Sequence, residues 1–154
     1  MDVDFAVRAQ VANRIERSAL VARSAEAMYA LVVDVEAYPR RFAWCTGAQV
    51  LEQGEDTMRA RLDLQLAGFK TWFVTRNVLE PGRSMDMQLA EGPFKKLHGR
   101  WEFKPLSESA CKVTLLLEFE TASSLLGPVI RLGMQGLADR MVDDFVRTAS
   151  AEAA

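Results

Sequence analysis

His98 is the only histidine in this chain, so any Ser–His or Cys–His nucleophile pair must be built on it. Its place is poor for that work. Leu97, Gly99, Trp101 and Phe103 alternate onto one face of a predicted strand, which leaves His98, Arg100, Glu102 and Lys104 on the wet face. Cys45 and Cys111 stand alone, in no metal-ligand spacing. Gly92-Pro93-Phe94-Lys95-Lys96 lacks the glycine spacing of a phosphate-binding loop, and no helix follows it. Asp63 and Glu102 carry carboxylates suited to acid–base catalysis, but alternation puts both on wet faces where they are solvated. The residue types therefore argue for binding over catalysis. No catalytic residue, metal or cofactor is expected.

The stretch from Glu91 to Phe103 is the most informative. Gly92-Pro93 interrupts a regular ladder, since proline has no N–H to donate and glycine takes φ values closed to other residues. Phe94 is then a bulky apolar residue in an irregular segment at the end of a sheet, beside Lys95 and Lys96. Two arrangements meet this pattern. One is the mouth of an apolar pocket; the other is a hairpin turn closed by a hydrophobic plug.

With 154 residues the chain fits one domain with a proper core. Hydrophobic residues make up 49% and charged residues 26%, values ordinary for a globular protein. A net charge of -2 gives no global reason to expect nucleic acid, and DNA is not an expected partner. Basic residues cluster locally at Arg40-Arg41 and through Lys95, Lys96, His98, Arg100 and Lys104. Such a patch suits RNA or an anionic membrane surface, and a solvated strand face is the simpler account of it. Two isolated cysteines point to a reducing cytoplasm. Met1-Asp2-Val3-Asp4-Phe5 has no apolar h-region, so no signal peptide is expected, and no apolar run reaches the ~20 residues of a membrane span.

These residues need elements to position them. Residues 1–12 show no strong periodicity and read as an N-terminal extension expected to be mobile. Ile15, Arg17, Ala19 and Val21 alternate with Glu16, Ser18 and Leu20 as an untidy strand. Ser24 is an N-cap, and Met28, Leu31, Val32 and Val35 recur at helical spacing over 25–35. That helix is predicted to stop near Tyr38, because the residue before Pro39 resists the α region. A strand over 44–52 follows. Met58, Ala60, Leu62, Leu64 and Leu66 then alternate with Arg59, Arg61, Asp63 and Gln65, the clearest strand signal in the chain. Gly68 is expected to end it, and Trp72, Val74 and Val78 to continue a long strand rich in aromatic and β-branched residues. Met85, Met87 and Leu89 form another strand, and Val113, Leu115, Leu117 and Phe119 mark the last.

From Ser124 to Ala149 the pattern changes. Leu126, Ile130, Met134, Leu137, Met141 and Phe145 recur every three or four positions, giving a helix of roughly 35 Å over 124–149. Gly127-Pro128 falls in its first turn, and Gly133 and Gly136 are costly inside a helix unless something approaches closely. The order is strand, helix, about six antiparallel strands, long helix. The fold class is α+β, one domain over 13–150 with a short tail over 151–154, in which the long helix lays its apolar face on a curved sheet. Either a filled core or a cavity for an apolar ligand lies between them.

This pattern resembles the START-like helix-grip fold of the polyketide cyclase/dehydrase (SRPBCC) superfamily. That fold is a curved antiparallel sheet of about six to seven strands around a long C-terminal helix, with one or two short helices after the first strand. Within the superfamily the chain resembles the coenzyme Q-binding protein family, which includes the bacterial ribosome-association toxin group. Three motifs carry the likeness, which spans roughly 13–149. Tyr38-Pro39 with Trp44-Cys45 is similar to a Tyr-Pro-x-Phe-x-Pro-Trp-Cys signature, with Arg41 and Ala43 standing where that pattern has Phe and Pro. Glu91-Gly92-Pro93-Phe94 through Leu97, Gly99, Trp101 and Phe103 is similar to Gly-Pro-Phe-x-x-Leu-x-Gly-x-Trp-x-Phe. The third is Arg140-Met141-Val142-Asp143-Asp144-Phe145.

The resemblance implies a hydrophobic tunnel between sheet and helix that takes ubiquinone or a related polyprenyl lipid, in a non-enzymatic carrier supporting respiration. From the sheet its expected lining is Leu62, Leu64, Val74, Met87, Leu89, Leu97, Trp101 and Leu117; from the helix, Met134, Leu137 and Met141. Phe94 is the expected gate, with Lys95 and Lys96 meeting headgroups or an anionic partner. The compartment expected is a bacterial cytoplasm, with transient contact at the inner membrane surface. A competing role implied for bacterial members is binding the large ribosomal subunit and blocking subunit association. Cyclase or aromatase activity, which the superfamily name implies, has no catalytic groups to support it.

Overall fold

In the computed structural model, residues 13–66, 69–122 and 125–153 are described. The 1–12 extension and the Gly68 strand end lie outside those residues. Strand β1 (Asn13–Val21) leads into helix α1 (Ala25–Val33), capped by the Ser24 hydroxyl accepting from the Ala27 N–H at 3.1 Å. Helix α1 ends earlier than its sequence pattern predicts, at Asp34, where ψ is 63°. A 3-10 turn (Val35–Ala37) and a single helical turn α2 (Tyr38–Arg41) follow. Tyr38 itself is helical (φ -55°, ψ -46°) although it precedes proline. Pro39 sits at the start of α2, where its missing N–H is not needed.

Six strands then run as a meander: β2 (Cys45–Gln53), β3 (Thr57–Leu66), β4 (Phe69–Glu80), β5 (Ser84–Glu91), β6 (Phe94–Ser107) and β7 (Ala110–Thr121). β1 closes on β7, so the seven strands stand in the order β1-β7-β6-β5-β4-β3-β2 with every neighbour antiparallel. Helix α3 (Gly127–Ala153) crosses the inner face, about 40 Å long. It starts after the predicted Ser124, which is outside the described residues, and continues past 149. This is the helix-grip architecture that the sequence pattern anticipates.

The phase of β3 is as alternation predicts, with Met58, Ala60, Leu62 and Leu64 buried. The phase of β4 is opposite to the one that Val74 as a lining residue requires. Ladder partners share a face, and Leu62 pairs with Phe73, Ala60 with Thr75 and Met58 with Asn77. The inward side chains of β4 are therefore Thr71, Phe73, Thr75, Asn77 and Leu79. Trp72, Val74 and Val78 share the outer face with Arg61 and Asp63, and the Arg61 guanidinium lies 4.5 Å from the Trp72 ring centroid. Polar Thr75 and Asn77 are accommodated by each other, the Thr75 hydroxyl standing 2.7 Å from the Asn77 amide oxygen.

Candidate functional site

Between the sheet and the N-terminal and middle turns of α3 lies an apolar cavity. Its sheet wall is Leu62, Leu64, Phe73, Thr75, Met87, Leu97, Gly99, Leu115 and Leu117, and its roof is Met134, Leu137 and Met141. Eight predicted lining residues thus come together there: Leu62, Leu64, Met87, Leu97, Leu117, Met134, Leu137 and Met141. Gly99 makes room for one of them, since a Cβ at that position would stand 2.7 Å from the Met87 methyl. The cavity volume is only about 30 Å³. Ligand pockets for drug-sized molecules begin near ~300 Å³, so this interior is close to a filled core.

Four predicted positions fall elsewhere. Val74 is on the outer face because β4 has the opposite phase. Leu89 packs from the end of β5 and lines an outer cleft instead. Trp101 is 1% exposed and belongs to the aromatic core. Phe94, expected as a gate, is 6% exposed and wedged between Phe73 (6.2 Å between ring centroids) and Phe119 (6.3 Å). Its burial follows from Gly92, whose φ of +150° folds the turn onto β4. A Cβ there would lie 3.1 Å from the Phe73 Cβ and 3.2 Å from the Trp72 carbonyl. Of the two arrangements that the sequence leaves open, the plugged turn is the one present. Phe73, Thr75, Gly99 and Leu115 line the cavity outside the predicted set; Gly99 and Leu115 lie on strand faces predicted to be dry, and pairing β4 against the legible β3 finds Phe73 and Thr75.

The three motif segments meet at Phe145, near the C-terminal end of α3. Its ring is 4.7 Å from Phe42, 5.3 Å from Tyr38, 5.3 Å from Trp101 and 6.3 Å from Trp44. Trp44 stacks on Phe42 at 4.9 Å and donates its indole N–H to Asp144 at 3.0 Å. Phe42 thus supplies the aromatic that the signature places one residue earlier, and Arg41 turns out to pair with Asp34 at 3.5 Å. The motifs assemble the joint between helix and sheet, and most of their aromatics do not touch the cavity.

A second candidate lies on the sheet's flank. β5 and β6 pair only from Ser84↔Glu102 to Gln88↔His98, although both strands extend further. Beyond His98 a cleft of about 360 Å³ opens, with Leu89, Leu97 and Phe119 at its base and Gln88, Lys95, Lys96, His98, Glu118 and Glu120 at its rim. Lys95 reaches Glu120 at 3.6 Å, while Lys96 is exposed and makes no ion pair among the described residues. His98 bridges three strands, with Nε2 2.9 Å from Asp86 and Nδ1 3.1 Å from Glu118. Burial disfavours its cation, but the two carboxylates outweigh this and raise its pKa. Arg100 completes the network through Asp86 (3.3 Å) and Glu102 (2.7 Å).

Nothing in either place is poised for nucleophilic chemistry. Both cysteines are buried and free, and burial pushes the Cys45 thiol up to about 11. No group of three or more His, Cys, Asp or Glu able to hold a metal occurs among the described residues. Among them, no helix is long and apolar enough to cross a membrane.

Comparison with known proteins agrees with this architecture. Residues 21–146 match the family described as polyketide cyclase / dehydrase and lipid transport. The ribosome association toxin RatA of Pseudomonas aeruginosa is 44% identical over 139 residues, covering 90% of this chain and 96% of that protein. The protein of the same name from Escherichia coli strain K12 is 42% identical over 143 residues, covering 93% and 90%. Among solved structures, the ZhuI aromatase/cyclase from Streptomyces sp. R1128 superposes with a TM-score of 0.85 at 18% identity, over 92% of this chain and 96% of that one. That likeness establishes a shared fold. By sequence and fold together, the chain belongs to the START-like polyketide cyclase/dehydrase and lipid transport family, among relatives named ribosome association toxin.

Proposed function

We propose that this protein associates with the ribosome, taking the large subunit as its partner and hindering that subunit's association with the small one. The observation that carries the reading is the identity of 42–44% to two proteins named ribosome association toxin, over nine-tenths of this chain. Three features of the molecule support it. The interior is nearly filled, the thiols are buried, and His98 is engaged on both ring nitrogens. The partner-facing surface in this reading is the rim of the β5–β6 cleft, where Lys95 and Lys96 project beyond the plugged turn. Lysines offered to RNA phosphates release counterions, so binding must weaken with salt.

Co-sedimentation with isolated large subunits tests this. The wild-type chain is expected to pellet with them at low salt and to be released as salt rises. The Lys95→Glu/Lys96→Glu double variant should bind at least tenfold more weakly while remaining folded. A wild-type chain that never pellets at low salt overturns the proposal; a double variant that binds equally well removes the lysine rim from it.

A second reading, binding of ubiquinone or a related polyprenyl lipid, is favoured by the apolar cavity under α3 in this fold. At about 30 Å³ the cavity admits such a ligand only if Met134, Leu137 and Met141 withdraw, which means that the start of α3 must lift. Mass spectrometry of lipids co-purifying from the native host separates the readings. A stoichiometric quinone supports the carrier; quinone-free protein that pellets with large subunits supports ribosome association.

A further inference from the structure

The start of α3 is apolar on the side that faces away from the core. Leu125 (86% exposed) and Leu126 (53%) precede the helix, and Val129 (48%) and Leu132 (66%) continue the ridge through its first two turns. Half of the molecule's exposed large hydrophobic residues, among those described, fall within these eight positions. From 125 to 138 the only charged residue is Arg131. A helix apolar all round is normally covered on all sides. Farther along the same exposed line the residues are Gly136, Arg140 and Asp143, so the apolar character is confined to one end.

What surrounds the ridge identifies its partner. A shallow pocket runs beside Leu132 between Trp44, Gln65, Gly136 and Arg140. Arg131 and Arg140 are exposed and make no ion pair among the described residues, whereas the neighbouring Asp139 is paired with Arg17. The surface is thus an aliphatic ridge edged by uncommitted cations. A phosphate backbone would engage the cations but leave four aliphatic side chains in water. A second copy of this face would set like charges against each other across a two-fold axis. An anionic bilayer accommodates both, with aliphatics below the headgroups and guanidinium groups at the phosphates.

We infer that the Leu125–Leu126–Val129–Leu132 ridge at the start of α3 docks on an anionic lipid surface, with Arg131 and Arg140 at the headgroups. The site is separate from the Lys95–Lys96 rim and goes beyond ribosome association. The test is flotation of the full chain with vesicles of phosphatidylcholine alone and of equal parts phosphatidylcholine and phosphatidylglycerol. Binding is expected only to the anionic vesicles and should fall with salt. Leu132→Asp and Val129→Asp should each weaken it at least tenfold, and Arg131→Glu several-fold. The milder Leu132→Gln keeps the test open should an aspartate impair folding; it should weaken binding with an unchanged circular dichroism spectrum.

Failure to bind anionic vesicles, or equal binding to neutral ones, overturns the inference. So does full binding by a folded Leu132→Gln. A concentration-dependent dimer abolished by Leu132→Asp, without vesicle binding, assigns the ridge to a second copy. Vesicle binding that emerges only after deletion of residues 1–12 assigns it to the chain's own N-terminal segment. Loss of large-subunit pelleting on Leu132→Asp with no vesicle binding by the wild type assigns it to the ribosome.

Discussion

The two halves of α3 lie on the same sheet and are fastened by different chemistry. In the second half, Phe145 contacts four other aromatic rings, Asp144 accepts from the Trp44 indole, and Asp139 is paired with Arg17 of β1. In the first half the contacts are Met134 and Leu137 over a small void, the outer face is bare aliphatic, and Gly133 and Gly136 weaken the helix itself. The first intrahelical bond there runs from the Ile130 N–H to the carbonyl of Leu126. Rings bring large buried area with fixed geometry, while methionine fits irregular space with several conformers. One half is therefore a fixed joint, and the other is the half that can move, open the interior or meet a partner.

Truncating one side chain in each half reads the difference in packing. Phe145→Ala removes a ring shared by all three motif segments and is expected to destabilise by about 3–5 kcal/mol, read by chemical denaturation. Met134→Ala, at an equally buried site, should cost nearer ~2 kcal/mol, because the void beside it already exists and its neighbours can close on it. Equal costs would mean that the two halves are equally well packed.

The smallest effect concerns the flank of the sheet. His98 has a raised pKa, so its carboxylate contacts contribute fully below its unfolded pKa of ~6.5 and are lost as pH rises through the folded value. In Asp86, burial pulls the pKa up, but the His98 and Arg100 hydrogen bonds outweigh it and lower the value. Its contribution is present above ~3.9 and lost as pH falls through the folded value. The stability gap between the wild type and His98→Gln should therefore be widest near pH 5–6 and shrink by pH 8.5. Being partly exposed, the network should contribute no more than about 1 kcal/mol, read as melting temperature against pH. A gap independent of pH would show that the imidazole acts only by packing.

Much of the architecture was legible because hydrophobic period and turn residues agree. β3 alternates cleanly, Glu80-Pro81-Gly82-Arg83 is a turn closed by a 2.8 Å bond from the Arg83 N–H to the Glu80 carbonyl, and the long helix repeats every three or four residues. β4 was misread for a physical reason. Its inward face carries Thr71, Thr75 and Asn77, and its outward face carries Trp72, Val74 and Val78, so local polarity points the wrong way and only the ladder with β3 decides. Gly136 was read as a close approach, yet no atom would lie within 4 Å of a Cβ there. The motif residues were legible as a family signature but not as parts of one aromatic cluster, since Phe42, Trp101 and Phe145 meet only through the fold. The inward burial of Phe94 depends on the φ of Gly92, which the sequence allows without requiring.

Native-state hydrogen exchange on α3, resolved by residue, separates a fixed second half from a looser first half. Amides of 130–138 should exchange at least tenfold faster than those of 139–149, through an opening that leaves the aromatic joint intact. Uniform protection along the helix, or slower exchange in its first half, would contradict the account.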